Sequence, residues 1–156
     1  MLEVDIPGSA SLRLEHLVLD YNGTLAVDGR LLPGVGRRLR ALSRALEIHV
    51  VTADTFGAAR AALAGLPCRV SILPSRRQDR AKRAYVARLG PGRTVCVGNG
   101  RNDRLMLKAA ALGIAVLQRE GAASVTLAAA DVVVPSIAEA LDLLARPLRL
   151  VASLRS

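Results

Sequence analysis

Short apolar runs punctuate the chain at regular intervals, and most end in a glycine, a proline or a small polar residue. Leu2 to Ile6 and Leu12 to Leu19 flank Pro7-Gly8-Ser9, which predicts a hairpin leading into the first core strand. After a loop at Tyr21 to Leu32, Pro33 suits a first helical position, and the helix is expected to run to Leu46. Further strands are predicted at Glu47 to Val51, Arg69 to Leu73, Thr94 to Val97, Ile114 to Leu117 and Val132 to Val134. Helices are predicted between them: one capped by Asp54 or Thr55 and running through Ala64, one capped by Ser75 and running through Leu89, then Asn102 to Leu112, Gly121 to Ala129 and Ser136 to Leu144.

Strands apolar on both faces, alternating with amphipathic helices, imply an α/β fold. The expectation is a Rossmann-like three-layer arrangement, with a mostly parallel sheet covered on both sides and an N-terminal β-hairpin. No repeat or linker interrupts residues 1–156, which are read as a single domain. In such sheets ligands bind beyond the carboxyl ends of the strands, where the winding reverses. Three runs end at notable groups: "LVLD" at Asp20, "HVVT" at Thr52 and "VCVG" at Gly98-Asn99. Neighbouring strands would bring these groups to one site.

Composition narrows the function classes. The formal charge is +9, and 20 of the 22 basic residues are arginine, leaving Lys82 and Lys108 as the lysines. Arg37, Arg40 and Arg44 share one predicted helical face, and Arg76, Arg80 and Arg83 another. Such faces could meet nucleic acid, but a solvated basic surface is the favoured reading. Two tyrosines, one phenylalanine and no tryptophan leave almost nothing to stack bases on, which argues against single-strand recognition. No apolar run reaches membrane-spanning length and Met1 to Ala10 lacks a basic leader, so a cytoplasmic protein is expected. Cys68 and Cys96 lack metal-ligand spacing and are read as free buried thiols. His16 and His49 each stand alone within a strand and are read as structural, and no His/Cys cluster competes for a metal.

The chemistry that suits the converging groups is phosphoryl transfer. A carboxylate at Asp20, followed by Gly23 and Thr24, can attack phosphorus to give an acyl phosphate. That step needs a divalent cation between carboxylate and phosphate, and donors for the phosphoryl oxygens. The Thr52 hydroxyl, backbone N–H groups after Asp20 and the Lys82 ammonium can be those donors. "GNGRND" offers oxygen ligands at Asn99 and Asp103, which suit magnesium rather than zinc. Thr52 could instead cap a helix, though the site role is favoured; Asp54 is read as a cap, and Asn102 as both cap and site residue.

"DYNGTLAVDG", "VVTADTFGAA", Lys82 in "AKRAYVARLG" and "VCVGNGRND" resemble, in order, the four motifs of the haloacid dehalogenase-like (HAD) superfamily, over about residues 14 to 134. More narrowly, the chain is similar to small soluble relatives of the P-type ATPase phosphorylation domain. The resemblance implies Asp20 as nucleophile; Gly23, Thr52, Ala53, Lys82 and Asn102 around the phosphate; and magnesium held by Asp20, the Asn22 backbone carbonyl and the fourth motif through Asn99 and Asp103. Two positions depart from the family pattern. Phosphatases of the family carry aspartate where Asn22 stands, and the fourth motif begins Gly-Asp where this chain has Gly98-Asn99. Without a general acid/base at Asn22, phosphoenzyme breakdown is expected to slow by about 10²–10⁴-fold. The segments between motifs leave no room for a cap domain, so the site is expected to be open to a large phosphorylated substrate or closed by a second subunit of a homo-oligomer. A degenerate phosphate- or metal-binding regulatory module is the alternative, and a nucleic-acid-associated basic protein the third reading.

Overall fold

The computed structural model describes residues 1–54 and 57–156. Six parallel strands form the central sheet: β3 (His16–Asp20), β6 (Glu47–Thr52), β7 (Arg69–Ile72), β8 (Thr94–Gly98), β9 (Leu112–Val116) and β10 (Val132–Val134). Their spatial order is β10-β9-β8-β3-β6-β7. The chain winds outward from β3 through β6 to β7, then returns to the other side of β3 at β8. The reversal therefore lies between β3 and β8. Two antiparallel hairpins stand apart from this sheet: β1 (Leu2–Val4) with β2 (Leu12–Leu14), and β4 (Ala26–Val27) with β5 (Arg30–Leu31).

Each face of the sheet has its own apolar layer. Leu17, Leu19, Val50, Val95 and Val97 pack with α1 (Val35–Leu42), α2 (Ala58–Leu63) and α6 (Ile137–Ala145). Val18, Val51, Cys96 and Ala115 pack with α3 (Gln78–Leu89) and α4 (Arg104–Ala109), with α5 (Ser124–Ala129) beside them through Leu127. The helices show why each lies where it does. Helix α1 buries Val35, Leu39 and Leu42 at four- and three-residue spacing, and Arg38 clamps it to Asp142 of α6 at 2.9 and 3.2 Å. Ser136 caps α6, its Oγ accepting from Glu139 N at 3.3 Å. Arg37, Arg40, Arg44, Arg76, Arg80 and Arg83 are all exposed. No helix among the described residues is long and apolar enough to cross a membrane.

Several expected boundaries move. Leu12 to Leu19 is not one strand: the chain turns at Glu15, whose N–H donates to Arg93 O and whose carbonyl accepts from Glu47 N, both at 2.8 Å. Helix α1 stops at Leu42 because the chain must turn to begin β6 at Glu47. Ser75 does not cap α3. That helix starts at Gln78 after Arg77, whose φ of 53° breaks the helical path, so Arg76 lies outside it. The helix expected from Asn102 is a single 3₁₀ turn followed by the shorter α4, and β9 takes over Leu112. The β4–β5 hairpin and a C-terminal helix α7 (Pro147–Leu154) were not anticipated. Helix α2 starts later than expected, with Gly57 at its N-cap position; Asp54 still accepts from Ala59 N at 3.0 Å, and Thr55, its alternative, lies outside the described residues. Between β3 and β6 the chain forms only the β4–β5 hairpin and α1, so no cap domain is inserted there.

Candidate active site

A cleft of about 500 Å³ opens where the winding reverses, lined by Asp20, Asn22, Thr52, Ala53, Asn99 and Asn102 among others. At its floor Asp20 joins a buried ionic cluster that continues beneath it. Lys82 Nζ donates to Asp20 Oδ1 at 2.7 Å and to Asp103 Oδ1 at 2.6 Å. Lys82 reaches this point because α3 turns its Lys82 and Val86 side to the sheet, and burying an ammonium demands such partners. Asp103 is fully buried, and its second oxygen accepts from Asn99 N and Gly100 N, each at 3.0 Å. It thus ties Lys82 to the loop after β8. Gly98 is required for this: a Cβ there would lie 2.5 Å from the Asp103 carboxyl carbon.

The loop after β3 is equally constrained. Tyr21 O accepts from Leu25 N and Ala26 N, at 2.9 and 3.0 Å, folding 21–26 into a tight turn. Gly23 has φ 79°, and a Cβ there would meet the Asn99 amide at 2.3 Å. The Thr24 hydroxyl lies 3.1 Å from Asp20 Oδ2 and 3.2 Å from Asn99 Oδ1, able to donate to either. Asn99 Nδ2 donates to Gly121 O at 3.0 Å, which turns its amide oxygen toward Thr24. On β6, Thr52 is buried at the strand end, and its Oγ1 accepts from Asp54 N at 3.3 Å. The Tyr21 hydroxyl donates to Gly29 O at 3.0 Å, holding the β4–β5 hairpin at the cleft's rim.

The electrostatics favour a proton on Asp20 more than usual. Burial, then the nearby Asp103 charge, raises the Asp20 carboxyl to about 6, against the lowering effects of Lys82 and Thr24. For Lys82, burial alone would lower the ammonium's pKa, but the two carboxylates outweigh it and raise it. Two carboxyl groups facing one ammonium leave acidic groups in excess, which invites a cation.

No family model matches the chain. Over 61 residues it is 51% identical to "Uncharacterized protein MJ0073" of Methanocaldococcus jannaschii, covering 39% of this chain and 66% of that one, just under two thirds of its length. Over 39 residues it is 46% identical to "Uncharacterized protein MJ0072" of the same organism, covering 25% of this chain and 89% of that one. By sequence the chain belongs with these archaeal proteins. Among solved structures, a putative HAD family hydrolase from Streptomyces avermitilis superposes with a TM-score of 0.68 at 24% identity, covering 85% of this chain and 83% of that one. A 3-deoxy-D-manno-octulosonate 8-phosphate phosphatase from Moraxella catarrhalis, in complex with magnesium, phosphate and KDO, gives 0.67 at 16% identity, covering 84% and 85%. A putative phosphatase of the same specificity from Vibrio cholerae gives 0.71 at 15% identity, covering 100% of this chain and 99% of that one. The fold is that of the haloacid dehalogenase-like superfamily.

Within this HAD fold the residues singled out from sequence converge unevenly. Asp20, Asn22, Thr52, Ala53, Asn99 and Asn102 line the cleft, with Asn22 exposed at its mouth. Gly23 lies behind Asn99, and Lys82 and Asp103 lie beneath the floor. Asn102 donates to Gln78 Oε1 at 2.9 Å across the rim. Two contributors escaped the sequence reading. Gln118 Nε2 donates to Gly23 O and Thr24 O at 2.9 and 2.6 Å while its Oε1 accepts from Ile137 N, so it carries the nucleophile loop. Thr126 donates to Gly100 O at 2.7 Å and holds the opposite loop. Gln118 follows the end of β9, the one signal that could have flagged it.

Proposed function

We propose that the protein is a magnesium-dependent phosphohydrolase or phosphotransferase that works through an aspartyl-phosphate on Asp20. The observation that carries this reading is the Asp20 carboxylate at the cleft floor, held at 2.7 Å by an ammonium that is itself buried. The likeness to HAD phosphatase folds, one holding magnesium and phosphate, agrees with it. Asp20, Asn22 and Asn99 all line the cleft and could offer oxygen ligands, and the described residues that line it include no imidazole or thiolate, which fits magnesium. Asp103 has both oxygens engaged, which suits it to bracing Lys82 and reaching the metal through the loop it holds. When bound, magnesium neutralises charge between carboxylate and phosphate.

An Asp20 oxygen forms a bond to phosphorus as the bond from phosphorus to the leaving oxygen breaks. Thr52, buried at the end of β6, orients the phosphoryl oxygens through its hydroxyl, and Lys82 offsets their charge. The departing oxygen finds no acid at Asn22, whose amide cannot donate a proton as a carboxylic acid does, so it takes one from water. Substrates with weakly basic leaving groups, aryl or acyl phosphates, are therefore favoured. Water then attacks the acyl phosphate at phosphorus without a positioned base, and release is slow. An open cleft admits a large phosphorylated substrate, and a second copy of the chain could close it.

The test compares phosphate release from an aryl phosphate, with and without magnesium, for wild type and Asp20→Asn. Turnover that depends on magnesium and vanishes in the variant, with acid-stable folding signals unchanged, is expected; equal turnover in both rules the mechanism out. Asn22-Gly23 and Asn99-Gly100 are sequences prone to deamidation, so peptide mapping accompanies the kinetics. The paired amides at Asn22 and Asn99 also favour a second reading, a phosphate- or metal-binding regulatory module. Magnesium and phosphate binding without turnover in verified wild type would select it.

A further inference from the structure

The expectation that His16 and His49 stand alone, with no His/Cys cluster to attract a soft metal, does not survive the fold. Strand β3 pairs with β6 so that His16 lies directly across from Glu47 and Val18 across from His49. Residues two apart on a strand share a face. His16, Glu47 and His49 therefore project together onto the α3 side of the sheet, at the amino ends of the strands. Four residue steps along β3 take His16 to Asp20, about 13 Å of strand.

The three donor atoms are already near coordination distances. His16 Nδ1 lies 3.3 Å from His49 Nε2, and Glu47 Oε2 lies 3.7 and 3.8 Å from those two atoms. Donors about 2.1 Å from a tetrahedral zinc ion stand about 3.4 Å from one another. Side-chain shifts of a few tenths of an ångström would complete three corners of a tetrahedron. The fourth faces solvent on the Glu47 side, where that side chain is 59% exposed.

The surroundings suit a metal-ligating imidazole. His49 Nδ1 lies 2.9 Å from the Tyr85 hydroxyl, which in turn accepts from Ser71 Oγ at 3.3 Å. A ligating histidine uses its other nitrogen to bind a fixed acceptor, and that bond sets tautomer and ring angle. Arg69, paired in register with His49 from β7, works against a cation, and the Glu47 carboxylate offsets it.

We propose that His16, Glu47 and His49 form a second metal site, distinct from the oxygen-lined cleft, that takes zinc or a comparable late first-row divalent ion. Two imidazoles and one carboxylate with an open fourth position are a donor set that zinc prefers and magnesium does not. Metal binding displaces the proton shared between the two rings. It is carried on the far nitrogens instead, on His49 toward Tyr85.

The experiment titrates zinc into the full chain by calorimetry, with magnesium in excess to occupy the cleft, and repeats it on Asp20→Asn, Glu47→Gln, His16→Gln and Tyr85→Phe. One zinc per chain is expected in wild type and Asp20→Asn. Glu47→Gln and His16→Gln should abolish that binding, and Tyr85→Phe should weaken it on the order of tenfold. Glu47 is exposed, so its substitution leaves the fold intact and keeps the test clean should a histidine variant misfold. Absence of zinc binding in wild type overturns the proposal. So does binding that survives Glu47→Gln with unchanged affinity, or that disappears only with Asp20→Asn.

Discussion

Strands β3 and β6 carry a polar cluster at each end, and the two differ in nearly every physical respect. At the carboxyl ends, Asp20 meets Lys82 and Asp103 in a cluster that is almost fully buried and formally charged. At the amino ends, His16 and His49 meet beside an exposed Glu47, and burial lowers the His49 pKa. Helix α3 serves both: Lys82 reaches the first cluster, and Tyr85, nearly one turn later, reaches the second. A buried charged cluster stands or falls with each partner, since removing one leaves another uncompensated. An imidazole pair with one side in water tolerates change far better. Chemistry that needs fixed charge therefore belongs at the first end, and reversible metal binding at the second.

The sharpest way to break this contrast is to remove one member of each cluster. Lys82→Met leaves two buried carboxylates facing each other and is expected to cost about 3–5 kcal/mol in chemical denaturation. His49→Gln should cost about 1–3 kcal/mol, the usual cost of disturbing a buried hydrogen-bonded group. Equal losses would mean that the charged cluster is not what makes the first end sensitive. In activity, Asn22→Asp should raise phosphoester hydrolysis on the order of 10²-fold and lower any trapped phosphoenzyme, because it restores an acid/base at the cleft mouth. Steady-state kinetics with acid-quench trapping checks both.

The two ends should also respond to pH with opposite signs. Asp20 has a folded value near 6 against an ordinary 3.8, so between those values the folded state holds the proton that the unfolded chain releases. Stability falls as pH rises through that window, by an amount on the order of 3 kcal/mol in metal-free protein. Asp20→Asn should erase that fall and leave Lys82 neutralised by Asp103 alone. His49 is depressed below its ordinary 6.5, so its contribution is present above that pH and is lost as pH drops beneath it. His49→Gln should erase that acid loss. Denaturation midpoints of the two variants across pH 3.5 to 7.5, compared with wild type, decide the matter; parallel profiles would dissolve the distinction.

The smallest effect is expected at Asn99. Asn99→Asp adds a charged magnesium ligand and should tighten binding in calorimetry. The same change takes a donor from Gly121 O and adds a carboxylate near Asp20, which should lower metal-free stability by about 1 kcal/mol. A gain in affinity without that loss would place the Asn99 side chain elsewhere than its hydrogen bonds indicate.

From residue order alone, the alternation of strands and helices and the ends of β3, β6 and β8 were legible. A parallel sheet buried on both faces requires apolar runs of limited length, and its geometry sends their carboxyl ends to one side. The motif residues Asp20, Thr52, Asn99 and Asn102 could be placed at one cleft on that basis. Boundaries were less legible where a distant backbone set them: the break at Glu15 depends on Arg93 O and Glu47 N, and the start of α3 on a left-handed Arg77. Depth was not legible either. Nothing in "AKRAYVARLG" says that Lys82 lies beneath the cleft with Asp103 as its second partner, or that Gln118 carries the loop after Asp20. The amino-end cluster was the least visible of all. Glu47 and His49 share a strand face by simple alternation, but His16 joins them only through the register of β3 on β6. Register depends on side chains and turns throughout the sheet, so a histidine that stands alone along the chain acquires its partners only when the strands pair.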